Sequence, residues 1–327
     1  MMNEYPPFCV AFYPTFAPMS APTRRAVLIA HFALLGVALI YGSSFLIAKS
    51  AMQGAVPPRA FIQFRVTGAA LLFWLLTPLS GNHSFRQIPH KDKLRLALAA
   101  IFGVTTNMLF FFEGLKMTTP VNGSIMMVSG PIMVLVAGAV LVKERITPPK
   151  IAGIVLGALG AFWLIYSGAN FQLAGLFSSD VARGNLFVLV NASSYAIYLV
   201  LVKPLMARYN ALFVIRWVFT FGVFFVLPFS SGQFSQIDWT LWTPNILWAV
   251  AFVIVGTTFL TYLGNIIALK TLHPATVGAY IYLQPLFASV LSLFYGQESW
   301  SIHMLLGGAA IFAGVYFVSF YGRKFKS

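Results

Sequence analysis

Two arginines, one glutamate and two prolines sit where a strongly apolar chain has least reason to keep them. Arg65 and Arg216 fall inside long apolar segments, where a charge at the centre of a bilayer costs at least about 2.5 kcal/mol on insertion scales. A guanidinium held there would recognise an anion or a carboxylate. Both arginines also lie within two turns of a segment end, so snorkelling, or a salt bridge pinning neighbouring helices, accounts for them equally well. Glu113 follows Phe110-Phe111-Phe112 and precedes Lys116 by three residues. That spacing makes an ion pair on one helical face; if burial instead raised its pKa, the carboxyl would take up and release a proton and couple a membrane process to the proton gradient. Pro131 and Pro285 each remove one helical hydrogen bond and free a carbonyl four residues earlier, at Met127 and Ile281. Such carbonyls must face a cavity or find a partner, so the prolines are expected to mark a gate or cavity wall, with a packed kink as the alternative.

The remaining polar positions inside apolar segments are Ser43, Ser44, Gln63, Asn107, Asn122, Asn191, Tyr195, Tyr198, Asn265, Tyr280 and Gln284. Singly, each is expected to hydrogen-bond a neighbouring helix for about 0.6 kcal/mol. As a set they are expected to line a cavity in which amides and aromatic rings orient an amphipathic small molecule. Other chemistries lack their residues. His31, His83, His90, His273 and His303 are scattered, Cys9 stands alone, and no two acids share an apolar segment. No catalytic constellation, metal site or cofactor is therefore expected. Nor is there a phosphate-cradling glycine loop, which excludes ATP as the direct energy source.

The elements that must position these residues follow from composition. With 59% hydrophobic and 9% charged residues, the chain cannot cover a soluble surface and is read as an integral membrane protein in contact with the lipid bilayer. A span needs about 20 mostly apolar residues. Ten segments qualify, at about 26–48, 59–79, 94–116, 121–142, 149–167, 184–206, 210–230, 245–269, 274–295 and 302–321. If the N-terminus is cytoplasmic, fifteen Lys and Arg fall on the inside and four (Lys49, Arg59, Lys116, Arg183) on the outside, so both ends are expected in the cytoplasm. The net charge of +14 is thus a topology signal, with no nucleic-acid-reading motif attached. Residues 1–23 hold five prolines and are expected to be a disordered tail rather than a signal peptide, with Met19 an alternative start.

The chain also repeats itself. A shift of 154 superposes Glu144 on Glu298, Lys116 on Lys270, Pro120 on Pro274, Pro131 on Pro285, Gly153 on Gly307 and Gly160 on Gly314. A shift of 151 pairs Ser43 with Ser194 and Arg65 with Arg216. Five spans per copy is an odd number, so the second copy enters from the opposite side, and inverted copies are expected to enclose a shared site. Glycines such as Gly153, Gly157, Gly160, Gly307, Gly308 and Gly314 are expected to serve close helix packing.

Taken together, the doubled five-segment plan, Tyr41-Gly42-Ser43-Ser44-Phe45 late in the first segment, an arginine in the second segment of each half, Pro131 and Pro285, and a Glu just after the fourth segment of each half resemble the EamA branch of the drug/metabolite transporter superfamily. The resemblance covers about residues 26–321. It implies an all-helical inner-membrane carrier with a central cavity, commonly an exporter of small metabolites, built as repeats at 24–167 and 184–322. One departure stands out: Glu144 precedes Arg145, but Glu298 precedes Ser299, so a salt bridge at the first glutamate is expected to lack a counterpart at the second. The leading expectation is a secondary transporter working by alternating access. A lipid-handling protein, whose cavity would open sideways to the bilayer, and a polytopic membrane enzyme are the alternatives.

Overall fold

The computed structural model describes residues 23–51, 56–79, 84–118, 120–168, 179–294 and 301–321. The proline-rich tail up to residue 22, the Gln53-Gly54 break and Glu298 lie outside these residues. The first half comprises α1 (Arg24–Ala51), α2 (Pro58–Leu75), α3 (His90–Ala100) continuing through a π-helical segment, Ile101–Thr106, into α4 (Asn107–Met117), then α5 (Pro120–Met127), α6 (Gly130–Val142) and α7 (Pro148–Gly168). The second half comprises α8 (Ser179–Arg208), α9 (Ala211–Ser230), α10 (Pro244–Phe252) continuing through a second π-helical segment, Val253–Leu260, into α11 (Thr261–Thr271), then α12 (Pro274–Ala279), a 3₁₀ turn at Tyr280–Tyr282, α13 (Leu283–Phe294) and α14 (Ile302–Tyr316). No strand occurs among the described residues. Five helices open on proline, which forfeits only an N–H that a first turn leaves unpaired.

Among the described residues, eight of the helical segments are long and apolar enough to cross a membrane. The other two expected spans are present as helix but differ in kind: α2 has 18 residues and carries Arg59, Gln63 and Arg65, while α12 and α13 are separated by the 3₁₀ turn. Large apolar side chains cover the outer surface, Phe32 at 70% exposure and Phe294 at 85% among them, as hydrocarbon contact requires.

Helix pairing reveals the symmetry. α4 and α6 both pack on α8; their repeat equivalents α11 and α13 both pack on α1. α2 packs on its own equivalent α9, and α7 on its equivalent α14. Both self-pairs are antiparallel. The start of α2 meets the chain just after α9, with Arg59 N donating to Gln233 Oε1 at 2.9 Å, and Asn210, the cap of α9, donates to the Leu79 carbonyl at 3.5 Å. In the other self-pair a Cβ on Gly153 would stand 2.6 Å from the Gly314 oxygen, and one on Gly160 would stand 2.7 Å from the Gly307 oxygen. These two contacts are each other's copies under the 154-residue shift. A two-fold operation that carries a helix onto an antiparallel neighbour has its axis across the helices, so the two repeats are inverted with respect to one another.

Candidate functional site

A cavity of about 510 Å³ lies between the halves. Its walls come from α1 (Tyr41, Ser44), α2 (Phe61, Arg65), α4 (Asn107, Phe111, Phe112), α8 (Asn191, Tyr195), the second π segment (Val253, Thr257), α11 (Tyr262, Asn265) and both broken helices. In the first half α5 stops at Met127, Val128 N and Ser129 N turn back onto Ile125 O and Met126 O at 3.1 Å each, and α6 restarts at Gly130. In the second half α12 stops at Ala279 and α13 restarts at Leu283. Proline lacks the donor and crowds the carbonyl four residues back, so Pro131 and Pro285 enforce both breaks. Met127 and Ile281, the positions whose carbonyls the prolines release, both line the cavity, as do Gly130, Tyr280 and Gln284.

The π segments supply a second pair of matched irregularities. Each inserts an extra residue per turn and leaves carbonyls without their usual partner. Hydroxyls take them up: Tyr262 donates to Gly103 O at 2.5 Å, while Thr257 and Thr258 donate to Val253 O at 2.9 and 2.8 Å. Because the hydrogen of Thr258 is thereby used, its oxygen can only accept from Arg65 Nε, 3.1 Å away. The Arg65 guanidinium also lies 5.4 Å from the centre of the Phe112 ring. Amides brace the wall beside it: Asn107 and Asn191 each donate to the other's backbone carbonyl, at 3.3 and 2.6 Å, and Asn265 donates to Tyr195 at 2.8 Å. Behind the wall, His31 Nδ1 is 2.7 Å from the hydroxyl of Tyr280.

Of the residues expected on the cavity wall, Ser44, Arg65, Asn107, Asn191, Tyr195, Asn265, Tyr280 and Gln284 are there, and five are not. Ser43 donates to Ile40 O within its own helix. Gln63 ties α2 to α9 by accepting from Ser230 at 2.9 Å. Tyr198 packs against Gly103, where a Cβ would stand 2.2 Å from its ring, and Asn122 is buried away from the cavity. Arg216 lies over Trp74, 4.6 Å from the ring centre. Glu113 is also off the wall. It accepts from Arg59 at 2.7 Å and Lys116 at 3.3 Å with its side chain a quarter exposed, the ion-pair arrangement that its spacing with Lys116 suggested.

At the end of the bundle carrying the basic loops, Lys143 adopts a left-handed φ of 52°, and the turn it makes sends Glu144 N back to Gly138 O at 3.0 Å. This aims the Glu144 carboxylate at Lys150, 2.7 Å away, and at His273, 3.6 Å away, rather than at its neighbour Arg145. On α3, fully buried Asp92 accepts from Arg208 at 3.1 Å and from Tyr209 at 2.7 Å. Partial burial, reinforced by that acceptor, pushes the Tyr209 phenol up to about 12. Sequence reasoning missed Asp92, Tyr41, Tyr262 and the two threonines. The signal for the threonines was present as Gly103-Val104-Thr105-Thr106 and Gly256-Thr257-Thr258 in the third segment of each half. Among the described residues no three His, Cys, Asp or Glu gather as metal ligands.

Comparison with known proteins agrees with this geometry. The model of the EamA-like transporter family matches twice, over residues 28–166 and 182–320. An uncharacterized transporter of Archaeoglobus fulgidus is 26% identical over 88% of this chain and 96% of its own length. The uncharacterized transporter YetK of Bacillus subtilis is 24% identical over 88% and 86%, and a WAT1-related protein of Arabidopsis thaliana is 20% identical over 88% and 82%. One solved crystal structure superposes with a TM-score of 0.72 at 20% identity, covering 92% of this chain and 99% of that one. Two family matches that coincide with two inverted helical repeats leave one assignment: the chain is a multi-pass membrane protein and belongs to the EamA-like transporter family.

Proposed function

We propose that the protein is a secondary transporter that moves a small organic solute outward across the plasma membrane by alternating access. The observation that carries this reading is the meeting of both proline breaks, one from each inverted repeat, on the wall of one cavity of small-molecule size. Inverted copies offer two near-equivalent packings, one open to each side, and a broken helix is where such a change can hinge. In this reading all ten helical segments span the bilayer, with the basic loops and both ends in the cytoplasm.

Proton coupling is part of the proposal, and Glu113 is its sequence candidate. Its tie to Arg59 and Lys116 favours a role in holding α2 to α4. Purified protein in vesicles with an imposed pH gradient, screened against labelled metabolites, tests both points. Solute movement that follows the gradient supports coupling, and Glu113→Gln that leaves the dependence intact removes Glu113 from it. Absence of carrier-mediated flux for every solute that binds would overturn the transport reading.

A further inference from the structure

We propose that the solute is an organic monoanion with a flat apolar body, and that Arg65 is the cation that recognises it. This rests on the transport reading above. The argument is charge balance. Lys150 is compensated by Glu144 at 2.7 Å, Arg95 lies 3.9 Å from Asp92, and Lys203 donates to the Leu269 and Leu272 carbonyls at the end of α11. Arg65 is as buried as Lys150 or Arg95. Yet no carboxylate among the described residues reaches it, and Nε to Thr258 is its one hydrogen bond there. A guanidinium has five N–H donors, so four remain for whatever enters the cavity that Arg65 lines.

A carboxylate or comparable oxyanion matches those donors in charge and shape, because the guanidinium fork offers two parallel hydrogen bonds. The duplicate arginine is directed elsewhere, over Trp74, which leaves Arg65 as the one cation on the wall among the described residues and favours a single negative charge. Around Arg65 the wall is aromatic, with Phe61, Phe111, Phe112, Tyr195 and Tyr262, surfaces suited to a ring or planar chain. Among the described residues no acidic side chain lines the cavity. An ammonium would enter without a counter-charge, so an acid is favoured over the α-amino acid bearing the same side chain.

The test uses full-length protein and four probes of similar size: 3-phenylpropanoate, its uncharged amide, 3-phenylpropylamine and phenylalanine. Binding is read by tryptophan fluorescence in detergent and exchange by counterflow in vesicles. The acid is expected to bind about tenfold tighter than the amide or phenylalanine, which corresponds to about 1.4 kcal/mol. Arg65→Gln should bring the acid-to-amide ratio close to one, Arg65→Lys should keep part of it, and Arg216→Gln should keep all of it. The wild-type ratio needs no variant, so a poorly folding Arg65→Gln does not shield the proposal. Equal binding of acid and amide by the wild type, or no binding of the acid at millimolar concentration, overturns it. Charge-selective binding without counterflow would uphold Arg65 and defeat the transport reading; charge-blind counterflow would do the reverse.

Discussion

Arg65 and Arg216 occupy the same position in the two repeats, yet one lies on the wall of the cavity and the other against the face of a tryptophan ring. The difference is made by their neighbours. Arg65 finds Thr258 in the π segment of the opposite half. Under the 154-residue shift Val104 stands at the matching place, and it offers no hydroxyl. Trp74, anchored by its own bond to Thr220 at 3.0 Å, takes the other guanidinium instead. Duplication has kept the scaffold symmetric, in the helix pairings and both breaks, while the polar chemistry has diverged. The ends of the bundle diverge likewise, since Met304 occupies the place that Lys150 holds in the first repeat.

That contrast can be broken or sharpened by experiment. The largest effect is expected at the basic end. Glu144→Gln strands Lys150 as a buried, uncompensated cation and should lower stability in detergent by about 3 kcal/mol, measured by chemical unfolding. Met304→Leu at the matching place should change little. Next comes the symmetric seam of α7 and α14. Gly153→Ala and Gly307→Ala each press a methyl onto a neighbouring backbone or side chain and should each cost about 1–3 kcal/mol. Markedly unequal costs would show that the seam is less symmetric than its geometry. Gly36, with open space around it, is the control, and Gly36→Ala should be neutral or stabilising by up to about 1 kcal/mol.

Arg216→Gln should remove a cation–ring contact worth about 0.5–2 kcal/mol and leave solute selectivity unchanged, a combination read from thermal melting together with the binding ratio. Loss of selectivity there would erase the distinction between the two arginines. The smallest effect concerns Tyr209. Its folded-state pKa lies above the ordinary 10.0, at about 12. The stabilisation linked to it is therefore complete below about pH 10 and is lost as pH rises through about 12. Melting temperatures of Tyr209→Phe should show a shallower decline over that interval than the wild type.

Much of the architecture was legible beforehand because it is written in apolar length and punctuation. The segment expected at 184–206 is α8 at 179–208, and the pair of prolines foretold two interruptions that the structure contains. The π segments were not foreseen, since one extra residue in a helical turn barely disturbs an apolar pattern. Glu144 was expected to involve Arg145, but a left-handed turn at Lys143 sends the carboxylate back across the helix end to Lys150. Gln63 and Asn107 look alike as amides in apolar helices; one braces α2 against α9 and the other lines the cavity.

From sequence alone came the membrane setting, the duplication, the inversion implied by an odd number of segments, and the places where proline must interrupt a helix. These follow from local chemistry: transfer of apolar side chains, the donor that proline lacks, and a repeated order of residues. Which arginine enters the cavity and which carboxylate pairs with which cation were decided only by tertiary structure. In a helix apolar on every side, a polar side chain's direction is a rotation about the axis, and that rotation is set by the helices packed against it.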